Sequence, residues 1–589
     1  LLDQLELQQR EISGDSYPYG LQLMLSALPS AMHRHDPAAA LDIEPVLKRL
    51  RSEIGEPNFV SKLVYDKLLN NQHRVILSLE PDSHLAEQMR EQEQARLAEI
   101  QSSLTQVEKQ AIVDTAKALE ERQNQSDDPE VLPTITLDDV PAAIEAPKFV
   151  ETKQEQRRLR FYPTGTNGLV YMQAFVRLPE LSADSIGLLP LHNRLLTELG
   201  LGDSDYLSTQ DRQSAVCGGI HAFSSFKGAA DDVFNLSGYA GLSCKGLAHK
   251  ADALQALMQD TLQDVRFDEL PRIKDIVAQS RARAERSVSG NGHGLAMQIA
   301  AQGYSPAAAI AHHSNGIAGI RHLKSIDESL KDSAALNDFA GSLAALHAQL
   351  VSPSDVLLVA EQQHENLLES LMTRWDKSNT LSASRLSSKL QQSQSTRELW
   401  VANTQVNFCA IAYPTVPPTH RDAAALTVLA GVLRNGFLHT AIREKGGAYG
   451  GGASHDSANG IFRFYSYRDP RLGETLDDFR ASIAWLLNTD IDDRLVTEAI
   501  LGVIGSLDKP ASPAGTAKEH FRHALFGFTD DMRAAFRSQV LSTTKADLLA
   551  VAERYLSQDD FSIGIVTHAG ESERYTALAE QNDIRIVNL

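Results

Sequence analysis

The feature that most constrains the fold is an internal duplication, in which one series of elements occurs twice. "RFYPTGTNGLVYMQAFVRLPELS" from Arg160 shares its strand alternation and proline punctuation with "LWVANTQVNFCAIAYPTVPPTH" from Leu399. Each opening precedes a Leu/Ala-rich helix that we expect to end at a glycine, Gly200 or Gly436. "SAVCGGIHAFSS" then parallels "GGAYGGGASHDS", so several elements agree in order at an offset of about 235 residues.

A second repeated pattern, a short apolar strand followed by a polar helix, occurs three times. The stretches begin at His73 ("HRVILSLEPD"), Ser354 ("SDVLLVAEQQ") and Asp560 ("DFSIGIVTHAG"), and they indicate the closing elements of three successive units. The complete units therefore predict an α+β fold of repeated antiparallel sheets, each with helices packed on one face. We expect the two copies to superpose and to have separate cores.

One hairpin and one helix of the second copy are especially clear. In "HDSANGIFRFYSYRD", residues 458–460 supply a turn, and Phe462 and Phe464 fall on one face of the following strand. The next stretch, "GETLDDFRASIAWLLN", is typical of an amphipathic helix with Leu476, Phe479, Ile483 and Leu486 or Leu487 inward.

Changes in composition divide the chain. A Glu/Gln/Ala-rich stretch with a capping-box pattern at Thr105–Glu108 predicts a helical hairpin over 83–133, outside both cores; a solvated coiled-coil tail is the alternative. The Ser/Gln-rich stretch Asp376–Arg397 predicts a second linker. The predicted layout is listed in chain order: the tail of a preceding α+β domain over 1–82, the hairpin over 83–133, and complete α+β units over 147–375 and 397–589.

The charge balance limits the partners. Among 589 residues, 76 acidic side chains outnumber 56 basic ones, which gives a net charge of −20. Nucleic acid is not expected as a partner because it requires basic patches, whereas basic substrates are compatible with this balance. No apolar run reaches the length of about 18 residues that a membrane span needs, so no membrane is expected.

The cysteines and the N-terminus bear on the compartment and on completeness. Cys217, Cys244 and Cys409 are odd in number and lack CxxC spacing, which predicts reduced, buried thiols in a bacterial cytoplasm or an equivalent reducing compartment such as the mitochondrial matrix. "LLDQLELQQREISG" has no methionine and no leader pattern, and it starts inside an amphipathic helix. We therefore expect residue 1 to be a processing or truncation boundary, with a substantial part of the parent protein before it.

No complete active site is found in the residues themselves. HExxH and HxxEH are both absent, as are GxSxG and GxxxxGK[ST]. "KEHFRHALFG" places His520 and His523 on one helical face, but without a third ligand a surface helix is the better interpretation than a zinc site. "SGNGHGLAMQ" has the wrong glycine spacing for a dinucleotide fingerprint and predicts an interhelical turn. We predict neither a catalytic base nor a metal ligand in this chain.

The stretch "LHTAIREKGGAYGGGASHD" has two interpretations. In the structural one, Arg443 and Lys445 offset the helix dipole, Gly446 caps the helix and the later glycines mark a bulge. In the functional one, Gly446, Gly447 and Gly450 let a peptide backbone approach, and Arg443 and Tyr449 donate to its carbonyls. Composition does not explain Tyr449, whose small neighbours leave its ring unsupported.

A family resemblance favours the functional interpretation. The stretch from "VNFCAIAYP" to "FRFYSYRDP", together with "SGDSYPYG", "HRVILSLEPD" and "LPTITLDDVP", resembles the presequence-protease branch of the pitrilysin/insulinase zinc metallopeptidases, and the resemblance covers essentially the whole chain. It implies a fold of the pitrilysin and mitochondrial-processing-peptidase type. Four α+β domains form two halves joined by a helical hairpin around a peptide-sized chamber.

The resemblance also implies where the chemistry lies. The family's zinc ligands and general base belong to an HxxEH motif in the first domain, so this chain would be a C-terminal half that binds no zinc alone and is inactive alone. Residues 147–375 and 397–589 would be the third and fourth domains. Arg443 and Tyr449 match the residues that the fourth domain directs at the substrate, whereas the third domain has about Asp211 and Cys217 there and would serve as a wall.

These implications lead to one principal hypothesis and two alternatives. The chain is identified as the C-terminal half of a zinc-dependent metalloendopeptidase that degrades unfolded oligopeptides, with the missing N-terminal catalytic half as its partner. The first alternative is a non-catalytic peptide-binding subunit that pairs with a separate catalytic chain. A purely structural clamp is the second.

Overall fold

The computed structural model describes residues 2–13, 18–82, 84–124, 133–154, 157–374, 386, 392–509 and 511–589. They fall into two compact units, one formed by Leu1–Ile43 with Val140–Leu589 and the other by Glu44–Asp139. The expectations for Gly14–Tyr17 of "SGDSYPYG", for Ser83, for residues 125–132 and for most of the linker Asp376–Arg397 lie outside the described residues.

Helices dominate the described residues before Val140. They are α1 (Leu2–Arg10) and α2 (Tyr19–Met32) of the larger unit, and α3 (Glu44–Ile54), α4 (Phe59–Val64), the π-helical turn Tyr65–Leu69, α5 (Leu85–Ser103), α6 (Gln106–Asn124) and the 3₁₀ turn Leu137–Asp139 of the smaller unit. The capping box between α5 and α6 is present, because the Thr105 N–H donates to Glu108 Oε2 (2.8 Å) and the Glu108 N–H donates to Thr105 Oγ1 (3.3 Å).

The strand predicted at His73 is not formed in this structure. Residues 71–82 contain no strand, and the side chains of Val75, Ile76, Leu77 and Leu79 are 79–88% exposed. A strand forms only when its backbone groups have a partner strand, and no such partner lies beside this segment within the described residues of the smaller unit. The strands that the same pattern predicts near Ser354 and Asp560 are both present.

The first copy contains a six-stranded sheet and the helices that connect its strands. Its elements are β1 (Val150–Gln154), β2 (Arg157–Pro163), β3 (Leu169–Arg177), α7 (Ala183–Leu196), α8 (Tyr206–Val216), β4 (Ile220–Gly228), β5 (Leu236–Leu247), α9 (Ala251–Gln263), α10 (Leu270–Ala301), α11 (Pro306–Ser314), α12 (Ile317–Ser329), α13 (Ser333–His347), β6 (Asp355–Ala360) and α14 (Leu367–Arg374).

The second copy contains another six-stranded sheet. Its elements are β7 (Arg397–Val401), β8 (Phe408–Pro414), α15 (Ala423–Leu433), the π-helical segment Arg434–Lys445, β9 (Gly450–Asp456), β10 (Ile461–Tyr467), α16 (Gly473–Asn488), α17 (Asp493–Leu507), α18 (Pro513–Leu525), α19 (Asp530–Leu541), α20 (Lys545–Val551), the π-helical turn Ala552–Leu556, β11 (Ser562–Thr567), α21 (Ser572–Asn582) and β12 (Arg585–Asn588).

The strand orders confirm the duplication. The sheets run β1-β2-β6-β3-β5-β4 and β12-β7-β11-β8-β10-β9, so β2 to β6 recur as β7 to β11 in the same spatial order. The α+β class is confirmed, but the sheets are mixed and not purely antiparallel. β2 runs parallel to β6, and β7 runs parallel to both β11 and β12.

One helix of each copy packs on the sheet of the other copy. One face of the first sheet packs on α9, and its opposite face, with Tyr171 and Phe175, forms a cluster with Phe521 and Leu525 of α18. Conversely, α10 of the first copy packs on the second sheet. The expectation of separate cores is therefore wrong, because apolar side chains of both copies meet in the clusters around α10 and α18.

The glycines of "SGNGHG" lie in the helix of the first copy that packs on the second sheet. They lie inside α10, which kinks at Asn291, and a Cβ at Gly292 would come within 2.3 Å of the Phe408 ring. The predicted interhelical turn is wrong because these residues lie inside a helix, in which Gly292 allows a close approach to the second sheet.

In the second copy the predicted hairpin and the inward face of α16 are confirmed, whereas the predicted end of the preceding helix is wrong. The hairpin β9–β10 turns at 457–460 with Gly460 at φ +64°, and Phe464 stacks on Phe479 of α16 at 5.7 Å. Within α16, Leu486 is the inward residue, whereas Leu487 is 39% exposed. The helix predicted to end at Gly436 instead continues to Lys445.

Of the described helices, one has the length and apolar composition of a membrane span. It is Ala423–Lys445, and half of its most apolar window is buried inside the protein. Buried core helices have the same length and apolar composition.

Candidate functional site

The candidate site is the turn between the π-helical segment and β9, which we call the Tyr449 turn (residues 443–450). The Gly447 N–H donates to the Arg443 carbonyl (3.2 Å), and the Ala448 N–H donates to the Ile442 carbonyl (3.1 Å). Gly447 has φ +78°, which glycine adopts without strain. Strand β9 begins at Gly450 and lies at one edge of its sheet.

The glycines of this turn have different roles. A Cβ at Gly446 would lie 2.1 Å from Arg471 Nη2 and 2.5 Å from the Ile442 carbonyl oxygen. Gly446 and Gly447 therefore serve the turn itself. At Gly450, by contrast, a Cβ would meet no described atom within 4 Å, so there is open space directly beside Tyr449.

Arg443 and Tyr449 both reach solvent. Tyr449 is 68% exposed, and its N–H donates to the Tyr467 carbonyl (3.1 Å). Its ring stands edge-on against the Tyr467 ring at 5.6 Å, so the ring is supported after all. Within the described part of the chain, neither the Tyr449 hydroxyl nor the exposed Arg443 guanidinium has a hydrogen-bond partner. Both donors are available to a ligand.

A side chain of the first copy contacts the ring that supports Tyr449. Tyr467 also contacts the His293 ring of α10 edge-on at 4.8 Å. Burial lowers the pKa of His293, which favours the neutral imidazole in this apolar contact. Sequence reasoning missed His293 and Tyr467 because the exchange of helices between copies has no local signature.

A buried acid fixes the loop that follows β10. Asp469 is fully buried, accepts from Thr475 Oγ1 (2.8 Å) and from the Arg471 N–H (2.9 Å), and burial raises its pKa. The Arg471 guanidinium forms an ion pair with Asp478 (2.9 Å) and packs over Gly446. This network ties the loop to the Tyr449 turn.

The corresponding turn of the first copy is closed. Cys217 is 4% exposed, its thiol contacts the Gln213 carbonyl (3.2 Å) and burial raises its pKa. Helix α1 covers the turn, with Gln4 Nε2 donating to the Cys217 carbonyl (2.7 Å). A Cβ at Gly218 would lie 2.3 Å from Leu7 Cδ2. Asp211 is exposed on α8.

The described residues do not fit a zinc ion. Among them, no three His, Cys, Asp or Glu side chains group as a metal site requires. His520 uses both ring nitrogens, one with the Tyr162 hydroxyl (2.7 Å) and one with Asp530 Oδ2 (2.9 Å). It is 6% exposed, so the surface-helix interpretation is also wrong: α18 packs on the first sheet.

The chain matches two family models. Residues 79–326 match the model of the domain associated with subfamily C of the M16 peptidases, and residues 397–570 match the "PreP C-terminal domain". It is 28% identical to the mitochondrial presequence protease of Yarrowia lipolytica, covering 94% of this chain and 56% of that protein. It is 27% identical to presequence protease 1, chloroplastic/mitochondrial, of Arabidopsis thaliana, covering 97% and 53% respectively.

The chain belongs to the presequence-protease branch of the M16 peptidases. It spans about half the length of the curated relatives that it matches, and one matching model is that of a C-terminal domain. It therefore corresponds to the C-terminal half of an M16 peptidase. Within this match lie Arg443, Tyr449 and the loop around Asp469.

A solved M16 structure supports the fold. The peptidase M16 inactive domain from Pseudomonas fluorescens aligns with a TM-score of 0.51 at 16% identity, over 72% of this chain and 98% of that one. At this identity the likeness concerns the fold alone.

Proposed function

We propose that this chain is the substrate-contacting half of a peptidase that degrades unfolded oligopeptides. The observation that carries the proposal is the Tyr449 turn, where two donors without a partner among the described residues flank an open space at the edge of a sheet. An edge strand offers backbone groups to an extended peptide, and Gly450 leaves room for that peptide's backbone.

The two side chains have distinct tasks in this proposal. The Tyr449 hydroxyl donates to a peptide carbonyl that gains negative charge during attack, so its hydrogen bond strengthens in the transition state. The Arg443 guanidinium holds a neighbouring carbonyl, or the same developing oxyanion, by a charge-assisted hydrogen bond. Since Arg443 also contacts the ground state, it contributes to substrate binding as well as to turnover.

Zinc chemistry, which the family implies, would be supplied by residues outside this chain. The described residues offer no ligand set for it, so no step is assigned to a metal here. We expect the isolated chain to be inactive and to bind zinc no better than scattered surface histidines do.

The partner in this proposal is the N-terminal catalytic half. The exposed apolar segment Val75–Leu79 supports it, because a stable protein seldom leaves such a run of side chains in water. We propose that a sheet of the N-terminal half adopts this segment as a strand. Hydrogen exchange at residues 73–80 should then be slow in the complete protein and fast in this chain alone.

The alternative of a separate peptide-binding subunit is not favoured. The relatives that match are presequence proteases about twice as long as this chain, in which one polypeptide continues beyond the matched part. An HxxEH motif in the same upstream reading frame selects the single-chain peptidase, whereas a start codon near Leu1 selects the subunit.

A reducing compartment fits the cysteines. Cys217, Cys244 and Cys409 are all free and buried. Several matching relatives are named as mitochondrial, so we propose the mitochondrial matrix, or the cytoplasm in a bacterium, as the location.

The experiment that tests the function is cleavage of an unstructured peptide by the complete protein. Wild-type protein should cleave it, and Tyr449→Phe should cleave it far more slowly while binding it. Equal rates for the two proteins would contradict the role of this turn.

A further inference from the structure

Arg468, which directly follows β10, has a backbone conformation that its side chain disfavours. Its φ is +51°, in the left-handed region. Described non-glycine residues that share this region include Asn58, Asn167 and Asp583, whose short polar side chains tolerate it, and a second arginine, Arg34. An unfavourable backbone that persists points to a function for the side chain.

The surrounding loop imposes this conformation. The neighbouring Asp469 is anchored on both sides of its peptide, since its N–H donates to the Asn407 carbonyl (2.8 Å) and its carbonyl accepts from the Asn407 N–H (2.9 Å). The Arg468 carbonyl accepts from the Tyr449 N–H at 3.4 Å. Glycine would satisfy these backbone demands without strain, so the backbone alone does not explain an arginine here.

The Arg468 side chain lies beside the candidate site. It is exposed, and its guanidinium carbon stands 5.5 Å from the centre of the Tyr467 ring, the same ring that supports Tyr449. Across the described ranges it has no carboxylate partner. Arg443 and Lys445 are also exposed nearby in the turn, so the local charge is the reverse of the chain's net charge of −20.

The first copy shows what such a cation binds. The Gly218 N–H donates to the Lys245 carbonyl (2.9 Å) as the Tyr449 N–H donates to the Tyr467 carbonyl (3.1 Å), so Lys245 corresponds to Tyr467, the residue directly before Arg468. The Lys245 ammonium contacts the carboxylate of Glu11, which follows α1, at 2.5 Å. Where the first copy is covered, a carboxylate therefore pairs with a cation one position away from that of Arg468.

We propose that Arg468 binds a carboxylate of the peptide seated at the Tyr449 turn, and so determines specificity. The carboxylate belongs either to an Asp or Glu side chain or to the peptide C-terminus. The proposal rests on the proposed peptidase function and names a substrate feature within it. Arginine suits this task because its planar guanidinium matches a carboxylate with two parallel hydrogen bonds.

The test uses four peptides and the complete protein. The peptides share one unstructured sequence of about 20 residues of Ala, Leu, Ser and Gln, with Glu or Gln at the same two central positions and with a free or an amidated C-terminus. The dissociation constant and kcat/KM are measured for wild type, Arg468→Gly and Arg468→Gln. Arg34→Gly is the matched control, because it removes an exposed arginine of similar backbone conformation from another loop.

We expect wild type to favour one carboxylate over its neutral counterpart by about tenfold, the scale of a charge-assisted hydrogen bond. Both Arg468 variants should lose that preference and process the neutral peptide within about twofold of wild type, while Arg34→Gly keeps it. Dependence on Glu identifies the side chain as the source, and dependence on the free terminus identifies the C-terminus.

Two results would overturn the proposal while leaving the peptidase function intact. One is a wild-type protein that cleaves all four peptides equally well. The other is an Arg468 variant that weakens neutral and acidic peptides alike, which would indicate a structural role. Wild-type protein that neither binds nor cleaves any of the four would contradict the proposed function itself, and Arg468 would lose its role with it.

Discussion

The two copies share a strand order but treat the same turn in opposite ways. In the first copy the turn before β4 is sealed by α1, with Leu7 against Gly218 and with Cys217 in the core. In the second copy the turn before β9 leaves Tyr449 68% exposed beside an open Gly450. The duplicated scaffold thus keeps one closed turn and one open turn.

The comparison separates features that both copies share from features that only the second copy has. The sheet order, the edge strand and a glycine-rich turn are present in both copies, so they belong to the fold. The unpartnered donors belong to the second copy alone among the described parts of the two turns, so we propose a function for them. The copies also depend on each other, because His293 of the first supports Tyr467 of the second.

The largest effect should come from removing the Tyr449 hydroxyl. Tyr449→Phe should lower kcat of the complete protein by about 10²–10³-fold, the scale for one transition-state donor, and leave its folding intact. Steady-state kinetics on an unstructured peptide measures it. Tyr206→Phe in the first copy, whose ring keeps its contact with Arg272, is the control and should match wild type. Equal losses in both variants would erase the distinction between the copies.

Arg443→Ala should have the next largest effect. Loss of a charge-assisted hydrogen bond should lower kcat/KM by about 10–10²-fold, with KM raised because ground-state contact is lost too. Arg212→Ala in α8 is the matched control, since that side chain pairs with Asp260 on the closed side. A loss in kcat alone would show that Arg443 acts only in the transition state, contrary to its proposed task.

Opening the closed turn tests the other side of the comparison. Leu7→Ala removes a buried side chain that seats α1, so the free energy of unfolding should fall by about 2 kcal/mol. Cys217 should then react faster with a thiol reagent, as mass spectrometry can follow, while Cys244 and Cys409 stay protected. Leu5→Ala, at a 53% exposed position of the same helix, is the control. Unchanged labelling of Cys217 would show that α1 does not protect this turn.

The smallest effect concerns pH. His455 lies between Thr427 Oγ1 (3.0 Å) and Thr415 Oγ1 (3.1 Å), and burial lowers its pKa to about 4. Because the folded pKa lies below the unfolded value of 6.5, the unfolded state binds the proton first, and stability falls as the pH drops from about 6.5 toward 4. His455→Gln should remove about 1 kcal/mol of the change in stability between about pH 6.5 and about pH 5.5, as thermal unfolding at several pH values would show.

The first copy has its own acid-sensitive pair, which sharpens this prediction. His192 Nε2 and His347 Nδ1 lie 3.0 Å apart, and burial lowers their pKa values to about 3 and about 4. They should keep most of the acid sensitivity in the His455→Gln protein. A pH profile that became flat on replacing His455 alone would contradict this assignment.

The sequence predicts those parts of the fold whose signals are local. The β9–β10 turn, the inward face of α16 and the capping box at Thr105 follow from spacing, and the duplication follows from order. The role of Gly292 in α10 and the burial of His520 do not, because their partners, Phe408 and Tyr162, lie in the other copy, far away in sequence. The strand at His73 fails for a related reason, since a strand pattern does not show whether a partner strand is present.

The candidate site is only partly visible in sequence. Tyr449 can be singled out because a phenol among glycines has no structural purpose that composition reveals, and Arg443 is singled out with it by the family resemblance. Arg468 carries no such signal, since only the backbone shows its positive φ and only the fold places its guanidinium beside the Tyr467 ring. The covering of the first turn by α1 is likewise a tertiary contact without a sequence pattern.

The most direct test of the open and closed turns is to locate a bound peptide. A photoreactive, unstructured peptide is crosslinked to the complete protein, and the modified residues are mapped by mass spectrometry. The account predicts crosslinks within residues 443–450 and at 467–468, with none at residues 211–219 and α1 still protected. Crosslinks at the first copy's turn, or their absence from the Tyr449 turn, would contradict it.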